Sequence, residues 1–344
     1  MTVSSSNSAI EVEHLSKTYG TFTAIRDISF RVNTGEIMGF LGPNGAGKTT
    51  SMRILAGFLP ASEGTARVAG FDINQDSMAV RQRIGYLPEN PPLYTEMTVE
   101  GYLHFVAQLK RVSPGDRAAQ VDRVIRRCSL EEKRHTLIRK LSKGYKQRVG
   151  IAQALVHDPP VIILDEPTVG LDPKQIIEVR NLIKSLAGEH TIILSTHILP
   201  EVSMTCNRVV IINRGQVAAV GTPSELMTQF QGEHQARLQI GAPTATAIRE
   251  VLQGIPQVQI LSLEPKTAAD PQRWQLQLSS SKPVDEWIPE VAKALIQSDI
   301  ALYEIGRSQA SLEEIFLQLT TQEGSGQEGA DAAPEPENPE EAAA

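Results

Sequence analysis

A glycine-rich octapeptide at residues 42–49 has the residue types and spacing needed to bind phosphate. It reads Gly-Pro-Asn-Gly-Ala-Gly-Lys-Thr and fits the pattern G-x-x-x-x-G-K-[ST]. Glycine accepts positive φ and carries no side chain, so successive backbone amides can turn inward around phosphate oxygens. Lys48 can neutralise the β- and γ-oxygens of a nucleotide, and the Thr49 hydroxyl can ligate Mg²⁺. The predicted nucleotide phosphate site comprises Gly42, Pro43, Asn44, Gly45, Ala46, Gly47, Lys48, Thr49 and Thr50.

Two adjacent acidic residues follow a short apolar run and could complete a phosphoryl-transfer site. Residues 161–166 read Val-Ile-Ile-Leu-Asp-Glu. A buried strand that ends in a carboxylate delivers that group to the sheet edge where ligands of parallel sheets bind. Asp165 is therefore predicted to hold Mg²⁺ through water, and Glu166 to polarise the attacking water. The alternative is a solvated acidic pair at a strand end, which the phosphate loop disfavours.

A third apolar run, at residues 191–195, is followed by Thr196 and His197. A lone histidine is usually structural or solvated. At the end of a core strand beside a phosphate site, contact of His197 with a γ-phosphate is the better interpretation. The other six histidines show no metal-ligand spacing, and we assign them no role.

These groups require a sheet that brings strand ends together. The apolar runs 37–41, 161–164 and 191–195 are typical of strands buried on both faces of a parallel sheet. Strands alternating with helices predict a layered α/β domain over residues 10–230. The stretch 71–97, rich in Pro, Asn and Glu, is predicted to be surface loop. Helices are predicted at 48–57, 98–111, 116–128, 145–156, 174–187 and 199–205.

The C-terminal part has a different pattern. Alternating strands and amphipathic helices in the order βαββαβ, followed by a last helix at 311–320, predict a small ferredoxin-like α+β domain over residues 235–321. Residues 322–344 contain Gly, Glu, Pro and Ala and cannot bury apolar area, which predicts a disordered acidic tail. Residues 1–9 are expected to be a flexible N-terminus.

The charge is concentrated in that tail. The chain of 344 residues has a net charge of −7, but residues 322–344 hold seven of its 40 acids and no Lys or Arg, so the rest is formally neutral. No apolar run reaches the roughly 18–20 residues of a membrane-spanning helix. The start lacks a secretory signal, and the two cysteines lack ligand spacing, so we expect a soluble intracellular protein with free thiols.

Together these motifs resemble the ATPase subunit of an ATP-binding cassette (ABC) transporter. Residues 141–147, Leu-Ser-Lys-Gly-Tyr-Lys-Gln, are similar to the signature loop of that family, and residues 167–172 to its D-loop. The resemblance covers about residues 10–230. It implies that Tyr19 stacks on adenine and that Ser142, Gly144 and Asp172 contribute to nucleotide binding.

The sequence departs from the family pattern at two positions. Glu89 stands where the family usually has glutamine; its carboxylate can still ligate Mg²⁺ or orient water but donates no hydrogen bond unless protonated. Lys143 replaces a signature glycine and adds a cation near the expected phosphate position. We interpret both as retuned turnover, with Glu89, Glu166, Lys48 and His197 as the catalytic set.

The resemblance also implies partners. Two ATPase subunits, identical or different, would pair head to tail, with each ATP between the phosphate loop of one and Ser142 of the other. The segment 89–94 would dock on a separate multi-span permease at the cytoplasmic side of the cell membrane; the alternative is an ordinary Pro-rich connector. Ser311-Leu-Glu-Glu-Ile-Phe316 resembles the final helix of ABC-2-type exporter ATPases, including drug-efflux and gliding-motility-type systems. The alternatives are a soluble ABC ATPase acting on nucleic acid or ribosomes, which the absence of a basic stripe disfavours, and a hydrolysis-poor regulatory subunit.

Overall fold

The computed structural model describes residues 8–229, 235–255, 257–267, 270–307 and 312–321. The larger, N-terminal part contains ten strands and eight α-helices within this described portion. They are β1 (Ser8–Tyr19), β2 (Phe22–Asn33), β3 (Ile37–Leu41), α1 (Lys48–Leu55), β4 (Glu63–Val68), β5 (Phe71–Asp72), α2 (Ser77–Arg83), β6 (Ile84–Leu87), α3 (Val99–Leu109), α4 (Arg117–Arg127), α5 (Lys143–Leu155), β7 (Val161–Asp165), α6 (Pro173–Ser185), β8 (Thr191–Thr196), α7 (Leu199–Thr205), β9 (Arg208–Asn213), β10 (Gln216–Gly221) and α8 (Pro223–Gln229).

Six of these strands form the central sheet, in the order β10-β9-β3-β8-β7-β6. The pairs β9–β3, β3–β8, β8–β7 and β7–β6 are parallel, and β10 pairs with β9 as an antiparallel edge hairpin. Every residue of β3, β7 and β8 is buried, as their continuous apolar runs predict. The α/β class is confirmed, and the carboxyl ends of three core strands meet at one edge.

A second sheet, of order β2-β1-β4-β5, is antiparallel and covers one face of the phosphate-loop region. Its inward residues share a hydrophobic cluster with strand β3 and helix α1, for example Ile28 and Phe30 with Phe40 and Met52. The helices α3, α4 and α5 bury a separate cluster on the other side of the central sheet. The phosphate loop thus leaves a sheet that is packed on both faces.

The prediction that residues 71–97 are surface loop is wrong in its middle. Helix α2 and strand β6 lie there, and β6 pairs parallel with β7 from Ile84 opposite Val161 to Leu87 opposite Leu164. At Gly85 an added Cβ would collide with the carbonyl of Ala154. The absence of a side chain at this position allows helix α5 to approach the strand closely.

The C-terminal part begins at residue 235. Its elements are β11 (Gln235–Gly241), α9 (Ala245–Gln253), β12 (Val258–Thr267), β13 (Asp270–Ser280), α10 (Val284–Gln297), β14 (Ala301–Arg307) and α11 (Leu312–Thr321). The sheet order β12-β13-β11-β14, with all neighbours antiparallel, is the ferredoxin-like arrangement that the βαββαβ order predicts. Helices α9 and α10 pack on it through Leu252 and Trp287, among others, and form its own hydrophobic core.

Helix α11 belongs to a different core. Its buried residues Leu312 and Ile315 join the cluster of the N-terminal part rather than that of the small sheet. The helix contacts α7, α8 and β9, and the Nδ2 of Asn213 donates a hydrogen bond to the carbonyl of Leu319 (3.2 Å). The helix predicted at 311–320 therefore forms, but it packs against the layered domain.

Other expectations concern the ends of the chain and its thiols. Strand β1 already begins at Ser8, inside the segment expected to be flexible. The predicted disordered tail, residues 322–344, lies outside the described residues. Cys128 and Cys206 are free and buried, and burial raises the pKa of each thiol to about 12. Among the described residues, no helix is both long and apolar enough to span a membrane.

Candidate functional site

The phosphate loop connects β3 to α1, and its backbone needs glycine at defined points. Gly47 is the N-cap of α1 with φ 100°, and Gly45 has φ 79°. A Cβ added to Gly47 would lie 2.7 Å from the carbonyl oxygen of Ala24, and one added to Gly42 would lie 2.5 Å from that of Ile212. Positive φ and close backbone contacts thus exclude larger residues.

Lys48 is held inside this loop. Its Nζ donates to the carbonyls of Gly42 (2.8 Å) and Pro43 (3.2 Å), and the side chain is 7% exposed. The carbonyl of Ala46 accepts a hydrogen bond from the amide of Gly215 in the β9–β10 turn (3.1 Å). The cation is therefore positioned by a loop that is itself fixed to the edge hairpin.

Asp165, the last residue of β7, is completely buried. Its Oδ1 accepts hydrogen bonds from the hydroxyls of Ser195 (2.5 Å) and Thr49 (3.4 Å). Within the described ranges, its Oδ2 has no hydrogen-bond partner. An unpaired buried carboxylate oxygen costs free energy, so it should have a partner. A carboxylate beside a threonine hydroxyl is a donor set that fits Mg²⁺.

Glu166 connects the cation to the predicted histidine. Its Oε1 lies 3.5 Å from Lys48 Nζ, and its two carboxylate oxygens lie 3.1 and 2.9 Å from His197 Nδ1. Because an ionised carboxylate only accepts, Nδ1 carries the proton and Nε2 is the other nitrogen available to a ligand. Glu166 is buried with φ 48°, whereas the His197 side chain is 43% exposed. Lys48, Glu166 and His197 therefore form one cluster.

Ser195 belongs to the candidate site, although no motif in the sequence indicated it. Besides donating to Asp165, its hydroxyl accepts the amide of Glu166 (3.0 Å), and its carbonyl accepts the same amide (3.2 Å). One side chain thus fixes both acidic residues. The only signal in the sequence is a polar residue at the end of an apolar run, one step before Thr196.

The signature and D-loop residues meet each other rather than the phosphate loop. Ser142 is the N-cap of α5, and its hydroxyl accepts the amide of Tyr145 (3.5 Å). Gly144 lies against the side chain of Gln175. The backbone amide of Gln175 donates to the Asp172 carboxylate (2.9 Å), and Asp172 is the N-cap of α6.

Lys143 does not lie free near a phosphate position in this chain. Its ammonium group packs against Gly170, which has φ 70° and where an added Cβ would overlap it. The lysine at this signature position is therefore accommodated by a glycine in the D-loop.

Two other predicted residues lie apart from the acidic cluster. Tyr19, at the end of β1, is 45% exposed, and Lys17 Nζ lies 5.2 Å from its ring centroid. Glu89 is exposed on the segment after β6, and in the described part of the chain it makes no hydrogen bond to the cluster. Their assignments to adenine and to Mg²⁺ stay predictions.

The fold and the site define a P-loop nucleoside-triphosphatase cassette, and comparison with known proteins identifies its family. The family described as "ABC transporter" matches residues 25–169. The chain is 32% identical over 313 residues to the uncharacterized ABC transporter ATP-binding protein YhcH of Bacillus subtilis (strain 168), covering 90% of this chain and 95% of that protein. It is 32% identical over 317 residues to the daunorubicin resistance ATP-binding protein DrrA3 of Streptomyces coeruleorubidus, covering 91% and 96%.

A solved structure of an ABC transporter subunit has the same fold as the cassette. The ATP-binding subunit of an ABC transporter superposes with a TM-score of 0.60 at 32% identity, covering 64% of this chain and 93% of that one. The chain belongs to the ATP-binding proteins of ABC transporters. It binds nucleotide and hydrolyses ATP, the characteristic activity of that family.

Proposed function

We propose that this ATPase powers an ABC-2-type exporter, working as a head-to-tail pair of cassettes on a separate membrane permease. Support comes from the similarity to DrrA3, a protein named for drug resistance, which extends over nearly the whole of both chains. Because it covers 91% of this chain, that similarity extends into the small ferredoxin-like domain. The observation that carries the hydrolytic part is the placement of Glu166 between Lys48 and His197.

In this proposal Glu166 is the general base. It takes a proton from the attacking water while Lys48 and the loop amides hold the oxygens of the leaving and transferring phosphates. His197 Nδ1–H fixes the orientation of the Glu166 carboxylate, and Nε2 is available to the γ-phosphate. Lys48, which lies 3.5 Å from Glu166, must turn from the carboxylate toward phosphate oxygens when nucleotide binds. That movement frees Glu166 to accept a proton.

Mg²⁺ would be held by Thr49 and Asp165, together with phosphate oxygens and water, and Glu89 is a further candidate ligand. When bound, the ion neutralises charge on the β- and γ-phosphates. Ser195 keeps Asp165 oriented for this role through the 2.5 Å hydrogen bond. The unpartnered Oδ2 of Asp165 would then gain a partner.

The pairing rests on the signature residues. Ser142 and Gly144 present a helix N-terminus, whose dipole and free amides favour anions. In the described part of the chain, Ser142 hydrogen-bonds to Tyr145 and Gly144 packs against Gln175, and neither contacts the phosphate loop. This separation supports a role on the nucleotide of a second subunit. The exposed segment 89–94 ends at Tyr94, whose ring packs 5.3 Å from that of Phe105, and is a candidate permease contact.

Replacement of Glu166 by Gln tests the hydrolytic assignment. The amide keeps the shape of the side chain but is a far weaker proton acceptor, so turnover should fall by about two orders of magnitude or more. Nucleotide should still bind, and the paired state should accumulate with ATP. ATPase assays and size-exclusion chromatography measure the two effects. Glu290→Gln, an exposed carboxylate on α10, is the matched control. Wild-type turnover in Glu166→Gln would remove Glu166 from the mechanism.

Co-purification from membranes tests the exporter assignment. The chain should be recovered with a multi-span protein, at the cytoplasmic face, and its ATPase activity should respond to that partner. If it is recovered instead with ribosomes, and RNA rather than a membrane protein stimulates hydrolysis, the exporter proposal is wrong. If the membrane partner is recovered, the identity of the transported compound is to be sought in that permease.

A further inference from the structure

A small cavity lies behind the segments that follow β7 and β8. It measures about 10 Å³ and is lined by Thr168, Arg180, Ile183, Leu194, Glu201 and Thr205. Three of these side chains are polar and more than nine-tenths buried: Thr168 (4% exposed), Glu201 (4%) and Thr205 (8%). Across the described ranges, the Oγ1 of Thr168, the Oε1 of Glu201 and the Oγ1 of Thr205 have no hydrogen-bond partner. Three residues that line one cavity thus each carry a buried polar atom that should have a partner.

The cavity is connected to the segment that carries His197. The second carboxylate oxygen of Glu201, Oε2, accepts a hydrogen bond from the Thr196 hydroxyl (2.8 Å). The same hydroxyl accepts the amide of Ile198 (3.0 Å). Thr196 and Ile198 flank His197 in the chain, so Glu201 fixes the backbone on both sides of the histidine. On the other wall, Thr168 lies two residues after Glu166.

We propose that one buried water molecule occupies this cavity and that Glu201, through it, is a positioning residue for hydrolysis. The water accepts from or donates to Thr168 and Thr205 and donates to Glu201 Oε1, which satisfies all three atoms. It thereby links the loop after Glu166 to the loop that carries His197. The distance of 2.9 Å between these two residues then depends on the link as well as on their own side chains. This inference rests on the proposed roles of Glu166 and His197.

The size and charge of the cavity favour water over an ion. About 10 Å³ is close to the minimum volume that holds a single water, and buried waters typically make about three hydrogen bonds. Arg180 contributes a cation to the lining, so a metal cation would meet a like charge. A neutral molecule that can both donate and accept fits one carboxylate oxygen and two hydroxyls.

A crystal structure at a resolution that shows ordered waters tests the occupant. Density for one water within hydrogen-bonding distance of Thr168, Glu201 and Thr205 is the expected result. The Thr168→Val variant, which keeps the shape but removes one hydroxyl, should weaken or remove that density. A cavity empty of density in the wild-type protein would overturn the proposal whatever the activity of the enzyme.

Kinetics test the positioning role. Glu201→Leu removes both hydrogen bonds at similar volume and should lower kcat by about tenfold or more, because small misplacements of catalytic groups cost that much. The Kd for ATP should stay within about twofold, since the phosphate loop is untouched. Glu201→Gln should restore most of the activity, because its oxygen can accept from Thr196 while its amide donates to the water. A purely structural role would instead lower stability without this selective rescue.

Two further variants keep the test decisive. Ser203→Ala changes an exposed hydroxyl on the same helix, α7, and should leave kcat unchanged. Combining Thr168→Val with Glu201→Leu should cost little more than Glu201→Leu alone, since both act through one water. Additive losses, or full activity in Glu201→Leu, would overturn the link. The Glu166→Gln variant tests the base assignment separately. If that variant still hydrolyses ATP, Glu166 is not the base, but the expected water density between Thr168, Glu201 and Thr205 is unchanged.

Discussion

The Ser195 hydroxyl holds the two acidic residues of the site at the same time. It donates to Asp165 and accepts from the Glu166 amide, so it sets the spacing between the proposed metal ligand and the proposed base. Such a group is neither a base nor a nucleophile here, since its proton is already donated to a buried carboxylate. Its contribution is to orient the groups that react.

Replacement of Ser195 by Ala should therefore affect stability and turnover together. Removing a hydrogen bond to a buried charged group costs about 1–3 kcal/mol. We expect that loss in the free energy of unfolding, measured by urea denaturation, and a lower kcat at saturating Mg²⁺. Ser185→Ala, an exposed hydroxyl on α6, should change neither. Unchanged stability and kcat in Ser195→Ala would show that the 2.5 Å contact contributes nothing.

His157 makes stability depend on pH. Burial, and then the nearby Lys110, lower its pKa from 6.5 to about 4. Between these values the unfolded chain binds the proton and the folded chain does not, so stability is present above pH 6.5 and is lost as the pH falls toward 4. The free energy of unfolding should drop by about 1–2 kcal/mol from pH 7 to 5 through this group. His157→Gln should remove that part of the slope; equal slopes in both proteins would contradict it.

The sequence motifs predicted some residues of the candidate site and not others. Lys48, Thr49 and Asp165 could be identified because a phosphate loop and a strand-end carboxylate each have a local pattern. The hydrogen bonds of Ser195 could not, because they depend on the register in which β7 and β8 pair, with Asp165 opposite Ser195. Glu201 could not be predicted for the same reason, because its partners depend on how α7 packs.

At the scale of elements, helix α11 is the connection between the two parts of the chain. It follows β14 in sequence but buries Leu312 and Ile315 in the core of the cassette. Its neighbours include α7, which follows His197, and β9, through the Asn213 hydrogen bond. The helix thus anchors the small domain beside the elements that carry the site.

Ile315→Ala should loosen this anchor. Truncating a fully buried isoleucine costs about 2–5 kcal/mol, depending on how far the cavity collapses. We expect faster hydrogen exchange in α11 and α8 and a lower cassette unfolding temperature. Leu317→Ala, on the same helix but 57% exposed, is the matched control and should have little effect. Equal effects of the two substitutions would contradict the packing.

Two of the elements that differ from the sequence prediction share a cause. Strand β6 has four residues between segments rich in charged residues and proline, so its apolar pattern is too short to distinguish from loop. Helix α11 was recognised by its periodicity, but periodicity gives only the apolar face and not the surface it packs on. The pairing of β6 with β7 and the packing of α11 on the cassette depend on residues distant in sequence, so neither local pattern predicts them.

At the scale of the whole molecule, the described residues contain separate cores for the cassette and for the small sheet. Because a bound ligand stabilises only the unit that binds it, nucleotide should act on the cassette. Calorimetry of Glu166→Gln should show two transitions, with the cassette transition stabilised by about 2.7 kcal/mol at a nucleotide concentration of 100 Kd. A single transition that moves as a unit would mean that the small domain unfolds with the cassette.

The hydrogen bond between Ala46 and Gly215 has a consequence for biosynthesis. The β9–β10 turn also accepts the amide of Arg26 through the Gly215 carbonyl (2.8 Å), so it closes over both the phosphate loop and strand β2. Residues near 46 leave the ribosome well before residue 215, and domains form as their last contacts emerge. The nascent chain therefore acquires a complete phosphate loop only after more than 200 residues have been made. We therefore expect a chain that terminates before the turn to bind ATP more weakly than the full-length chain.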